Sequence, residues 1–182
     1  MQIIEKCVEA YRRNRNLKVA ANEVGIPWQT LYVHLKKAGE PVTGDKLKYG
    51  SSKDRLAAKS EQLFVQYVPQ AKDMNAKKFQ SKIDFDVNGY GVDVKSSSLK
   101  LSGHKCSVKR WAFCIKKQEM LADFFVCIGF DEEGEKHVLT LLIPGEIARK
   151  YTSISLSSRG GKWSDYQVDI ADLKSFFDSL GA

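Results

Sequence analysis

The sequence predicts an α/β protein in two parts, a small all-helical segment followed by a mixed β-sheet flanked by helices. Three observations carry this. Up to residue 37 apolar residues recur at helical spacing. From residue 54 onward, helical patterns alternate with short β-branched and aromatic runs, as α/β architectures require. Between them "EPVTGDKLKYGSSK" (40–53) is polar and lacks periodicity, so it reads as a linker. The expected divisions are residues 1–40, 41–53 and 54–182.

In order, Ile3, Ile4, Cys7, Val8 and Tyr11 mark one face of a first helix over 2–14. A second helix is expected from Leu17 to Val24 and a third from Trp28 to Lys37, with Gly39 as its stop. Asp54 is expected to cap a helix reaching Val68, which Pro69 ends. Strands are expected at about 78–87, 90–98 and 107–115, then a short helix in "KKQEMLA". "DFFVCIGFD" is apolar enough for a central strand buried on both faces. "KHVLTLLIP", "SISLS" and "YQVDI" read as strands, "GEIARKY" as a short helix and "ADLKSFFDSL" as a terminal amphipathic helix.

The apolar share, 43%, suffices for a core. No run approaches the ~18 apolar residues of a membrane helix, and "MQIIEKCVEAYRR" lacks the apolar stretch of a signal peptide. A cytoplasmic protein with no membrane partner is expected. Cys7, Cys106, Cys114 and Cys127 show no zinc-type spacing and read as free thiols. Charge is unevenly spread: residues 1–60 carry 12 Lys/Arg against 6 Asp/Glu, and residues 72–117 carry 11 against 4. Residues 118–182 reverse this, with 6 against 11. Such asymmetry suits a polyanion approached from one side.

In "NLKVAANEVGIPWQTLYVHLKKAG", Ala21 lies four residues before Gly25, and Leu31 lies six after it. A small residue lets two helices approach, glycine takes the left-handed turn, and Val24, Ile26, Leu31 and Leu35 lock the second helix on the first. Residues 16–37 resemble the helix-turn-helix family. The resemblance implies double-stranded DNA as partner, with helix 28–37 entering the major groove. Trp28, Gln29, Thr30, Tyr32 and Val33 are then base or sugar contacts, and Lys36, Lys37, Arg12, Arg13 and Arg15 phosphate contacts. The alternative is a helical hairpin used for protein contact.

The stretch "KIDFDVNGYGVDVKSSS" (82–98) is a hairpin around Asn88-Gly89, the pair that favours a type I′ turn. A two-residue loop pairs Val87 with Tyr90, Asp86 with Gly91, Phe85 with Val92, Asp84 with Asp93 and Ile83 with Val94. Ile83, Phe85, Val87, Tyr90, Val92 and Val94 then share an apolar face, and Asp84, Asp86, Asp93 and Lys95 the other. Directly opposed carboxylates repel; once buried, one must protonate or take a cation. Mg²⁺, a hard ion that takes carboxylate oxygens, resolves this. Lys95 could orient or deprotonate a water, or stabilise charge on a phosphate. The plainer alternative is a surface hairpin with a solvated polar face.

These residues resemble the PD-(D/E)xK nuclease superfamily: Asp84 in "KIDF", with Ile83 where the family often has proline, and Asp93-Val94-Lys95 nine residues later. The element order over 54–145 fits as well. The resemblance implies a restriction-endonuclease-like fold and a Mg²⁺-dependent DNA endonuclease, with Mn²⁺ able to substitute. Asp84, Asp93, Lys95 and Glu61 would be catalytic, and Asp84, Asp93 and Glu61 would hold metal. Lys105, Lys109 and Arg110 in the basic stretch 100–111 would hold DNA near the cut. Ser97 and Gln118 are accessory candidates, Asp86 and His104 weaker ones. Homing, restriction and junction-resolving enzymes share this chemistry, and cutting both strands calls for a homodimer, a higher oligomer or two binding events. The rival is a non-catalytic helix-turn-helix regulator with a degenerate nuclease-like domain.

Overall fold

Helices α1 (Gln2–Asn14), α2 (Leu17–Val24) and α3 (Trp28–Lys37) close around one small core in the computed structural model, which describes residues 2–76, 82–115 and 121–181. That core holds Cys7, Ala10, Tyr11, Ala20, Ala21, Leu31 and Leu35. Alanine at the α1–α2 contact keeps the helices close, while Leu31 and Leu35, one turn apart, seal α3 onto both. The Asn16 side chain accepts the Lys18 and Val19 N–H groups, a cap worth about 1 kcal/mol. Gly25 ends α2 at φ 76°, its N–H returning to the Ala21 carbonyl. A side chain at this φ would be strained.

The expected linker is more ordered than its composition suggests. It contains α4 (Lys46–Tyr49), capped by Asp45 through the Lys48 N–H at 2.9 Å. It also contains Ser52 and Lys53, which begin the first turn of α5 (Ser52–Tyr67). Asp54 sits inside that turn instead of capping it: its carboxylate accepts the Ser51 N–H, and the Ser51 hydroxyl accepts the Asp54 N–H. This reciprocal pair is a capping box with Ser51 as the cap, which starts the helix three residues early.

The chain divides into two compact units, the first running through Arg55 and the second taking up Leu56–Met74 and the chain from Lys82 on. The second unit is mixed α/β. One sheet has the order β1 (Lys72–Asp73), β2 (Phe85–Val87), β3 (Tyr90–Ser98), β6 (Phe124–Phe130), β7 (His137–Pro144), with β3 and β6 parallel and the other pairs antiparallel. A second, antiparallel sheet joins β4 (Lys100–Leu101), β5 (Lys109–Cys114) and β8 (Ser153–Ser157). A single mixed sheet was the expectation. Alternation reveals which face of a strand is buried, not which strand lies beside it, and β5 reaches β3 through a side chain instead of a ladder: the Ser97 hydroxyl accepts the Ala112 N–H at 2.9 Å.

"YQVDI" is not a strand. Lys162–Tyr166 and Ile170–Asp172 form 3₁₀ turns, and Gln167 makes an isolated bridge to Leu141. Of the strand expected over 78–87, Phe85–Val87 is a strand and residues 77–81 lie outside the described residues. Residues 116–120 of the expected "KKQEMLA" helix also lie outside them. Helix α6 (Gly145–Ala148) and helix α7 (Leu173–Leu180) form where helical patterns were read.

The larger sheet is covered on both faces. Phe85, Val87, Val92, Val94, Val126 and Ile128 pack with Phe64 of α5 and Phe177 of α7, the Phe64 and Phe85 rings 5.2 Å apart. On the other face Phe125, Cys127 and Leu141 pack with Trp111, Phe113, Ile154 and Leu156 of the smaller sheet. Trp111 lies against Gly129 and donates its indole N–H to the Phe130 carbonyl at 2.7 Å. No helix among the described residues is long and apolar enough to cross a membrane.

Candidate active site

The hairpin register follows from its turn. Asn88 and Gly89 both take positive φ, 54° and 88°, as a type I′ turn requires. Val87 pairs with Tyr90, Asp86 with Gly91 and Phe85 with Val92. The Asn88 side chain also donates to the Phe177 carbonyl at 3.0 Å, tying the turn to α7. Asp86 accepts the Gly89 N–H at 3.3 Å, so its carboxylate serves the turn.

Beyond Phe85 the ladder departs from simple alternation. The Asp84 N–H donates to the Val92 carbonyl, and the Asp84 carboxylate, in place of a backbone carbonyl, accepts the Val94 N–H at 2.9 Å. Asp84 therefore ends the strand with its own side chain. Ile83 is turned out of the Val92/Val94 face and packs with the Trp111/Phe125 core, against Gly91. The expected Ile83–Val94 pairing does not form, because a side-chain acceptor has replaced the backbone one.

Asp84, Asp93 and Lys95 come together at this strand end. The Lys95 ammonium donates to the Asp93 carboxylate at 2.8 Å, and both are largely shielded from water, with side-chain exposures of 29% and 17%. Burial pushes the Asp93 carboxyl up to about 7, aided by its hydrogen bond to Asp84 and that residue's charge, and opposed by Lys95. Asp93 therefore keeps a proton up to near-neutral pH. Burial alone would lower the Lys95 ammonium, but the Asp93 charge and hydrogen bond, with Asp84 beyond, outweigh it and the net shift is upward. Lys95 is thus held as a cation.

Two neighbours were not singled out in the sequence. Cys127, the register partner of Lys95 on parallel β6, is fully buried beneath the site, and burial pushes its thiol up. Asp123 accepts the Gly91 N–H at 2.8 Å just before β6 begins. An aspartate immediately preceding an apolar run was its only sequence signal.

Glu61 lies half-buried on α5, whose Ser60 and Phe64 are buried and whose Phe64 packs on the Val92/Val94 face. Among the described residues no three His, Cys, Asp or Glu side chains are grouped closely enough to hold a cation. The Ser97 hydroxyl is engaged by Ala112 and by the Ser98 carbonyl. Gln118 lies outside the described residues. In the basic stretch, Lys105 and His104 are exposed, Lys109 pairs with Glu132, and Arg110 is exposed on β5.

On the first unit, Trp28, Gln29, Thr30, Tyr32, Lys36 and Lys37 are all exposed along α3. The Lys36 ammonium sits over the Tyr32 ring at 5.6 Å. The arginines are more committed than the sequence suggested. Arg12 bonds Glu40 at 2.7 Å, Arg13 pairs with Glu23, and Arg15 bonds Thr43 and lies over the Tyr11 ring. Compared with known protein families and with curated proteins, the chain matches none.

Proposed function

We propose that the protein is a metal-dependent DNA endonuclease of the PD-(D/E)xK type, directed to duplex DNA by a helix-turn-helix in its first unit. The observation that carries this is the half-buried Asp84–Asp93 pair with Lys95 bonded to it. Burying two carboxylates in contact against one ammonium leaves negative charge in excess, and Asp93 answers by keeping a proton. Hard carboxylate oxygens in such a place fit Mg²⁺, with Mn²⁺ as its substitute. Asp84 and Asp93 would hold the ion, which would supply electrophilic activation of water and of the scissile phosphate.

The chain's own groups then have distinct tasks. Asp84 holds its carboxylate in place through the Val94 N–H, so one site residue is fixed by the backbone that carries the other. Lys95, kept protonated by Asp93, neutralises charge developing on the phosphate oxygens and does not serve as a base. Exposed α3 supplies the duplex contacts, its lysines meeting phosphates and its N-terminal half the base edges.

Supercoiled plasmid incubated with Mg²⁺ or Mn²⁺, beside a chelator control and Asp93→Ala and Lys95→Ala variants, tests the reading. Metal-dependent nicking or linearisation lost in both variants is expected. Duplex binding with intact plasmid in every lane would instead identify a non-catalytic DNA-binding regulator.

A further inference from the structure

The outward face of α3 combines three features. Residues 24–39 contain no acidic side chain and end with Lys36 and Lys37 on the helix, so the face is complementary to a polyanion. Gln29 and Val33 lie one turn apart near the centre of that face, opposite buried Leu31 and Leu35. Trp28, Tyr32 and Val33 keep 42%, 38% and 48% of their surface in water.

Val33 is the informative residue. A β-branched side chain in mid-helix is a weak helix former, and here about half of its surface stays in water. An apolar group presented to a polyanion is recognised by the one apolar feature of the major groove, the thymine C5-methyl. Gln29, one turn earlier, is the side chain whose amide matches adenine N6 and N7. Stacking on unpaired bases fits less well, because valine has no ring and the Lys36 ammonium already covers one face of Tyr32.

Resting on the helix-turn-helix reading above, we infer that α3 reads thymine methyl groups through Val33, flanked by Tyr32 and Trp28, and so directs the protein to thymine-bearing duplex sites. A second copy of the chain or another protein docking on the same face is the competing occupant.

The test needs no knowledge of the target. One mixed-sequence duplex fragment is amplified with dTTP or with dUTP, giving probes that differ only in the methyl groups. Binding of the full chain to each is measured by competition gel shift in chelator. Tighter binding of the thymine fragment, by roughly fourfold for each methyl contacted, is expected. Val33→Ala, whose change lies on the exposed face, should remain folded and lose most of that preference while still binding DNA. Equal binding of both fragments by the wild-type chain overturns the inference and leaves DNA binding standing, as does a Val33→Ala variant with the full preference. Absence of binding to either fragment removes the helix-turn-helix reading itself. Self-association abolished by Val33→Ala, without duplex binding, would assign the face to a second copy.

Discussion

Replacing Asp93 with asparagine should make the metal-free protein more stable above pH 7 while abolishing the proposed cleavage. In the folded chain the Asp93 carboxyl is raised from the ordinary 3.8 to about 7, first by burial and then by Asp84. The sign follows from proton uptake: between these values the folded state holds a proton that the unfolded state has released. Stability from this group is therefore complete below about pH 4 and is lost as pH rises through 7. Moving a carboxyl that far corresponds to about 4 kcal/mol at 1.36 kcal/mol per pKa step. Lys95 titrates well above this window and does not alter the slope there. Urea unfolding in chelator at pH 5 and pH 8, for wild type and Asp93→Asn, isolates the effect because every other carboxylate is common to both. Between pH 5 and pH 8 only the stretch from 5 to about 7 counts, so the wild type should lose about 3 kcal/mol more than the variant, and Mg²⁺ at pH 8 should restore the wild type alone. Parallel pH profiles would refute the account of a raised Asp93 carboxyl.

Two further substitutions probe the scaffold. Leu31→Ala, at a fully buried position between α3 and its neighbours, should cost about 2–5 kcal/mol; duplex binding is expected to fall while Mg²⁺ binding, followed by calorimetry, persists in the second unit. Asn88→Ala removes the bond to the Phe177 carbonyl and puts a less tolerant residue at φ 54°, and a loss of about 1–2 kcal/mol is expected in thermal melts followed by circular dichroism.

Much of the site was legible because Asn88-Gly89 fixes a register. Once the turn type is known, strand period 2 decides which residues share a face, and that places Asp93 and Lys95 together without tertiary information. What periodicity could not show was a side chain acting as backbone. Asp84 accepts the Val94 N–H, the ladder stops there, and Ile83 turns to the other core. The second sheet was hidden for a related reason. The buried faces of β5 and β8 were evident, but their pairing is a non-local choice made by packing against Phe125 and Cys127. The charge state of Lys95 was open from sequence, since burial and paired carboxylates pull in opposite directions and only distance decides between them. The ion pairs of the first-unit arginines were also hidden, because Glu40 and Glu23 reach Arg12 and Arg13 only once the helices pack.

Strand β3 carries both Asp93 and Lys95, and it is an interior strand. It pairs with β2 at Tyr90–Val92, with β6 along Val92–Ser98, and is tied to β5 through Ser97. Amide protons so enclosed exchange with solvent chiefly through cooperative opening of the whole unit. Asp93 and Lys95 should therefore ride on the slowest-exchanging part of the second unit. On heating, the Asp84–Asp93–Lys95 cluster should persist until the second unit melts as a whole.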